Sequence, residues 1–149
     1  MSRTRPIPPS SLVLGYGPML LLPVLAIAGW SANGWWAALI VSAGQLWAAA
    51  LLIFMAGVRR GYGFSIENGA RPFLLVSMLW LFVLGMIGLI APWLVAFCAL
   101  FVGYGSVALL DPKAAARGEL PRHFAKLRPP QMAVAMVGIT ALLLRALTL

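Results

Sequence analysis

The sequence predicts an all-α integral membrane protein of five transmembrane helices, with a cytoplasmic interfacial helical segment between helices 4 and 5. Three observations carry that expectation. Apolar residues make up 62% of the chain and charged ones 9%, against about a quarter charged in a water-soluble domain. Apolar runs of about twenty residues recur, the length an α-helix needs to cross hydrocarbon. The basic residues gather between alternate runs, which is the mark of membrane topology.

Taken in order, residues 1–10 hold Arg3, Arg5 and three prolines and read as a cytoplasmic lead. Residues 11–149 form a single domain, with spans expected at about 11–31, 35–60, 72–90, 92–110 and 130–148. The first span contains Pro18 and Pro23, which a spanning helix tolerates when its neighbours satisfy the freed carbonyls. A signal peptide competes for the same residues, since Arg3 and Arg5 precede the run and Ala26-Ile27-Ala28 resembles a cleavage site ahead of Gly29. The second span starts at Trp35 and Trp36 and closes on Arg59-Arg60, stating its own direction. A polar loop with Glu67 and Asn68 follows, then Arg71-Pro72 as a helix start. Ala91-Pro92 separates the third and fourth spans so narrowly that they must form a tight antiparallel hairpin. Asp111-Pro112 reads as a helix cap with a first-turn proline, Gly118 as that short helix's end, and Pro121 as a second start running through His123, Phe124 and Leu127. This basic stretch is expected at headgroup level. The last span follows Pro129-Pro130 and is short enough to borrow length from the helix before it.

Five spans place two, three and five basic residues of the lead, the second connection and the fourth connection on one side, ten of the eleven in the chain. Only Arg145 falls on the other side, where Trp30, Trp35, Trp36 and Trp93 form an aromatic belt. The N-terminus is therefore expected in the cytoplasm and the C-terminus in the periplasm, with the mitochondrial inner membrane as the alternative setting. The net charge of +8 is topological and does not point to nucleic acid, because the bases line no single soluble face.

The single cysteine, Cys98, excludes a disulfide framework and a cysteine metal site within one subunit. The tyrosines all occur as Gly-Tyr-Gly, and 101–105 has the outline of a potassium filter. Phe101 stands where the filter threonine belongs, so the glycines are read as packing notches and the tyrosines as headgroup-zone residues. Small-residue faces at Ala38, Ser42, Gln45, Ala49 and Ala56, at Ala96, Ala99, Gly103 and Ser106, and at Gly85 and Gly88 are expected at the bundle centre. Gln45 is the candidate midspan polar contact, worth about a kcal/mol across helices. No Asp, Glu, His or Lys lies inside a span, which removes the usual parts of a proton relay or cation pathway. The acids Glu67, Asp111 and Glu119 and the lone His123 lie between spans and suggest neither a catalytic group, a metal site nor a cofactor. What remains is a candidate cytoplasmic-face charge cluster, Arg59, Arg60, Asp111 and Arg128, in which Asp111 caps its helix and pairs with an arginine while other guanidiniums meet phosphates.

The stretch from Ile53 to Gly61, then Asp111, Pro121, Phe124 and Leu127-Arg128, together with the early Gly-Tyr-Gly-Pro, resembles the domain-of-unknown-function family 3429. Members commonly carry Gly at the position of Ala56 and Trp at that of Arg60. The resemblance implies a small multi-span protein of bacterial or mitochondrial inner membranes and names no catalytic residue.

The expected role is structural or accessory, in assembly of a membrane complex or in lipid binding. Expected partners are the bilayer, anionic phospholipid, and a membrane protein or a second copy of the chain. The alternative is a small transporter of a neutral or anionic solute, which a polar cavity near Gln45 would favour; an enzyme lacks a convergent acid, base or nucleophile.

Overall fold

The fold is that of a computed structural model, and the structure describes residues 9–64, 72–118, 120 and 124–149. Five helices account for almost all of them: α1 Pro9–Ser31, α2 Gly34–Gly63, α3 Pro72–Ile90, α4 Trp93–Ala116 and α5 Phe124–Ala146. The expected lead up to residue 8, the loop with Glu67 and Asn68, and Glu119, Pro121 and His123 lie outside the described residues.

Around the bundle the helices follow chain order, each against the next, with α5 closing back onto α1; α2 also reaches across to α4 and α5. The second helix is thus the element that touches all the others. α1 begins on Pro9, where a missing N–H costs nothing. Between α1 and α2 the chain reverses through Gly34, whose φ of +53° suits a residue without Cβ. Ala91-Pro92 alone joins α3 to α4, the tight hairpin expected from the sequence.

The fully buried residues are Leu22, Val41, Ala48, Leu52, Phe97, Leu100, Tyr104, Val107, Met132, Ile139 and Leu142 among others, in one continuous cluster. Glycine lets the helices come this close. A Cβ on Gly138 would stand 2.7 Å from the Pro23 nitrogen and 2.8 Å from the Leu22 carbonyl carbon, so α1 and α5 meet almost backbone to backbone. The outward faces are just as apolar, with Val24, Ile27, Phe54, Val76, Val83, Leu94, Val95 and Val137 all exposed. Among the described residues four helices are long and apolar enough to cross a membrane, and Gly15–Ser31 within α1 is a shorter apolar helix. This is the make-up of a membrane-embedded bundle.

One expectation fails. Among the described residues no separate interfacial helix follows a cap at Asp111; α4 runs unbroken through Pro112 to Ala116, with Gly118 at φ +73° just beyond it, while α5 runs through Pro129 and Pro130 from Phe124. Burial on both sides of Pro112 keeps the helix going. Asp111 before it is held by ion pairs, and Ala114 and Ala115 after it pack with Leu74 and Leu120 in a second, smaller cluster. The stretch expected at headgroup level thus buries Ala114, Ala115, Leu120 and Leu127.

Candidate functional site

Where α2, α4 and the start of α5 converge, Arg59, Asp111 and Arg128 meet between the main core and the smaller cluster. Each comes from a different helix. The Arg59 Nη2 donates to Asp111 Oδ1, and the Arg128 Nε lies 3.3 Å from Asp111 Oδ2, so one carboxylate is bracketed by two guanidiniums. The side chains of Arg59 and Asp111 are 3% and 4% exposed and that of Arg128 11%. Charges so far from water persist only when paired. The Arg128 Nη1 also approaches the Met55 sulfur at 3.4 Å. Arg59 Nη1 is buried and has no hydrogen-bond acceptor.

Of the four residues expected in this cluster, three come together. Arg60 does not join them: it is exposed, with its guanidinium 4.3 Å from the Phe64 ring centre. Asp111 does not cap a helix, because it sits inside α4 rather than ahead of it. Around the group, Lys113, Arg117 and Lys126 are exposed, and the Arg117 guanidinium lies 4.4 Å from the Phe73 ring centre. This end of the bundle is strongly basic.

Gln45 bonds across helices, but at a place the sequence does not show. Its Nε2 donates to the carbonyls of Gly88, at 2.9 Å, and Ala91, at 3.0 Å. Those carbonyls belong to the last turn of α3 and the link after it, so Gln45 stands at the level of the α3–α4 turn and not midway along the hairpin. Of its expected face, Ala49 and Ala56 are buried while Ala38 and Ser42 are half-buried; in α4, Ala96 and Gly103 are buried and Ala99 and Ser106 half-buried.

Three polar residues make helix contacts that the sequence does not show. Tyr104, taken for a headgroup residue, is fully buried and donates its hydroxyl to the Ala48 carbonyl at 2.9 Å. Gln131 is fully buried against Gly15, and neither its Nε2 nor its Oε1 has a hydrogen-bond partner. Arg145 donates to the carbonyls of Gly29 and Ala32 at the end of α1, at 2.9 and 3.0 Å. The indoles also join helices: Trp30 bonds Ala141, Trp47 bonds Pro18, Trp80 bonds Ser106 and Trp93 bonds Ser42. Trp93, expected in the aromatic belt, therefore turns partly inward. A spacing signal existed for Tyr104, which lies on the stripe Phe97, Leu100, Tyr104, Val107 with steps of three and four residues.

Comparison with known proteins gave no match: no family model, no curated protein and no solved structure is similar to the chain.

Proposed function

We propose that the chain is a five-span accessory protein of a bacterial inner membrane, with its N-terminus in the cytoplasm and its C-terminus in the periplasm, serving assembly of a membrane complex or lipid binding. The observation that carries the reading is how three of the inward polar side chains are used. Gln45 ties α2 to α3, Tyr104 ties α4 to α2, and Asp111 ties α4 to α2 and α5. Side chains committed to holding helices together are what a scaffold needs, whereas a solute path needs them turned toward the solute.

Orientation is supported by the basic end. Arg60, Lys113, Arg117 and Lys126 are exposed there, and bases concentrate on the cytoplasmic side. Arg145, at the other end, spends its guanidinium on the C-terminal carbonyls of α1, which carry the helix's negative partial charge. Kinship with domain-of-unknown-function family 3429 is part of this proposal and rests on Ile53 to Gly61 and on the series from Asp111 to Arg128.

The test has two arms. With Cys98 replaced by Ser, single cysteines at Lys113 and Asn33 are labelled with an impermeant maleimide in intact and opened cells; Asn33 should react from outside and Lys113 only after opening. Extraction in gentle detergent should recover the chain in a stoichiometric complex with another membrane protein. Reversed labelling overturns the orientation. A chain recovered alone that carries solute into liposomes overturns the accessory role in favour of transport.

A further inference from the structure

We propose that the polar layer formed by Arg59, Arg128 and Gln131 is the seat of a phosphate ester, whose oxygens accept from Arg59 and Gln131. The inference deepens the reading above by naming a ligand and rests on it only for the membrane placement. Arg128 and Gln131 are three residues apart on α5, hence stacked on one helix face. Both turn inward, Gln131 fully and Arg128 with 11% of its side chain exposed. Arg128 contacts the carboxylate that Arg59 also holds. One turn of helix therefore separates the ion-paired group from the buried amide.

On Arg59 and Gln131, three buried atoms have no hydrogen-bond partner: Arg59 Nη1, Gln131 Nε2 and Gln131 Oε1. Two of them donate and one accepts. Buried polar groups carry their whole desolvation penalty unless something binds them, so a partner complementary to the set would relieve it. That partner must offer oxygen acceptors to a guanidinium N–H and an amide N–H, and a hydroxyl to the amide oxygen. A phosphate ester bearing a neighbouring hydroxyl has all three. Guanidinium matches phosphate oxygens well because its N–H groups are fixed in a planar fork.

Charge points the same way. Arg60, Arg117 and Lys126 stand exposed at the same end as the Arg59 and Arg128 guanidiniums. Such a field draws anions toward the group. Gly15 matters to the geometry as well: a Cβ there would collide with the Gln131 amide, so α1 lies directly over it and the exposed edge of Arg128 is the side from which a headgroup would enter. Two sources share the chemistry, an anionic phospholipid with a hydroxylated headgroup and a free phosphorylated solute.

The test uses the full chain, purified in an uncharged detergent, with the thermal unfolding midpoint followed during titration with short-chain phosphatidylglycerol, short-chain phosphatidylcholine, or glycerol phosphate. Arg59→Lys keeps the charge beside Asp111 but removes Nη1; Gln131→Leu keeps the volume but removes the amide; Lys113→Gln alters an exposed base only. Phosphatidylglycerol should stabilise the parent saturably, and its apparent affinity should fall about tenfold or more in the first two variants and stay unchanged in the third. Native mass spectrometry of the parent should retain one such lipid, a readout that needs no variant to fold. If glycerol phosphate alone gives the same variant-sensitive response, the ligand is a soluble phosphate ester and the site stands. Equal responses in the parent, Arg59→Lys and Gln131→Leu, an equal response to phosphatidylcholine, or none to either anion overturns the proposal. Labelling and complex recovery in neutral detergent report on the accessory role separately, so the two can fail independently.

Discussion

Gln45 on α2 gives the Gly88 carbonyl on α3 the hydrogen bond that Pro92 withholds. In an unbroken helix the N–H of residue 92 would donate to residue 88, but proline has none. The side chain of another helix takes its place, and the same Nε2 reaches the Ala91 carbonyl. Gln45→Leu leaves both carbonyls without this donor in an apolar setting, and should lower stability by about 1–3 kcal/mol. Pro92→Ala restores a backbone donor at position 92, so the double variant should lose less than Gln45→Leu alone. Thermal unfolding of the four proteins in detergent gives the coupling directly; strictly additive losses would mean that the amide and the proline are unrelated.

Asp111 holds two guanidiniums at once, and its removal leaves both in a nearly water-free layer. Asp111→Ala should therefore cost more than Gln45→Leu, about 3–5 kcal/mol. Replacing Arg59 and Arg128 by Met in the same chain removes the stranded charges as well, and should recover much of that loss. Yield and unfolding midpoint of the single and triple variants decide it. A triple variant no better than Asp111→Ala would show that the pairing itself, rather than the uncompensated charge, carries the stability.

Two glycines that look alike in the sequence should respond oppositely to alanine. At Gly138 the added methyl would meet the backbone at Leu22 and Pro23, which cannot swing aside. Gly138→Ala should destabilise by about 1–3 kcal/mol through overpacking. At Gly57 the added methyl meets nothing within 4 Å, and alanine should gain roughly 0.5–1 kcal/mol from helix propensity. Loss of stability at Gly57 instead would reveal that this face is covered by a partner.

Much of the bundle was legible because hydrophobic length and charge asymmetry are long-range signals that tolerate local error. The turn at Ala91-Pro92 and the proline start of α3 followed from residues whose backbone chemistry allows little else. What misled was punctuation. Proline at 112 and the pair at 129–130 were read as boundaries, yet the spacing of buried residues runs straight through: Phe97, Leu100, Tyr104, Val107, Asp111 and Ala114 advance by threes and fours along α4. On α2, Val41, Gln45, Ala48, Leu52, Met55 and Arg59 do the same. Arg59 and Asp111 thus occupy core positions of two facing stripes. Reading the stripes past the prolines would have shown their meeting, and would have placed Tyr104 inside. Gln131 left no such trace, since a glutamine after two prolines resembles a helix start until α1 is seen lying on it.

Arg145 is the basic residue on the sparsely charged side, and its geometry suggests why it stands there. Its Nε donates to Gly29 and its Nη2 to Ala32, carbonyls at the end of α1 that have no later turn of their own helix to bind them, while Nη1 donates to the Thr148 hydroxyl. The planar fork reaches two carbonyls and a hydroxyl with one side chain, and its charge complements the helix C-terminus. Arg145→Met should cost about 1–2 kcal/mol and loosen the α1 end first. Arg145→Lys keeps the charge but, as a compact ammonium, cannot span the same acceptors and should recover only part of that loss. Hydrogen exchange of the Ala28–Ala32 amides resolves the question: it should quicken most in Met, less in Lys, and leave the α3–α4 turn unchanged. Equal protection in Lys and Arg would reduce the role of Arg145 to its charge alone.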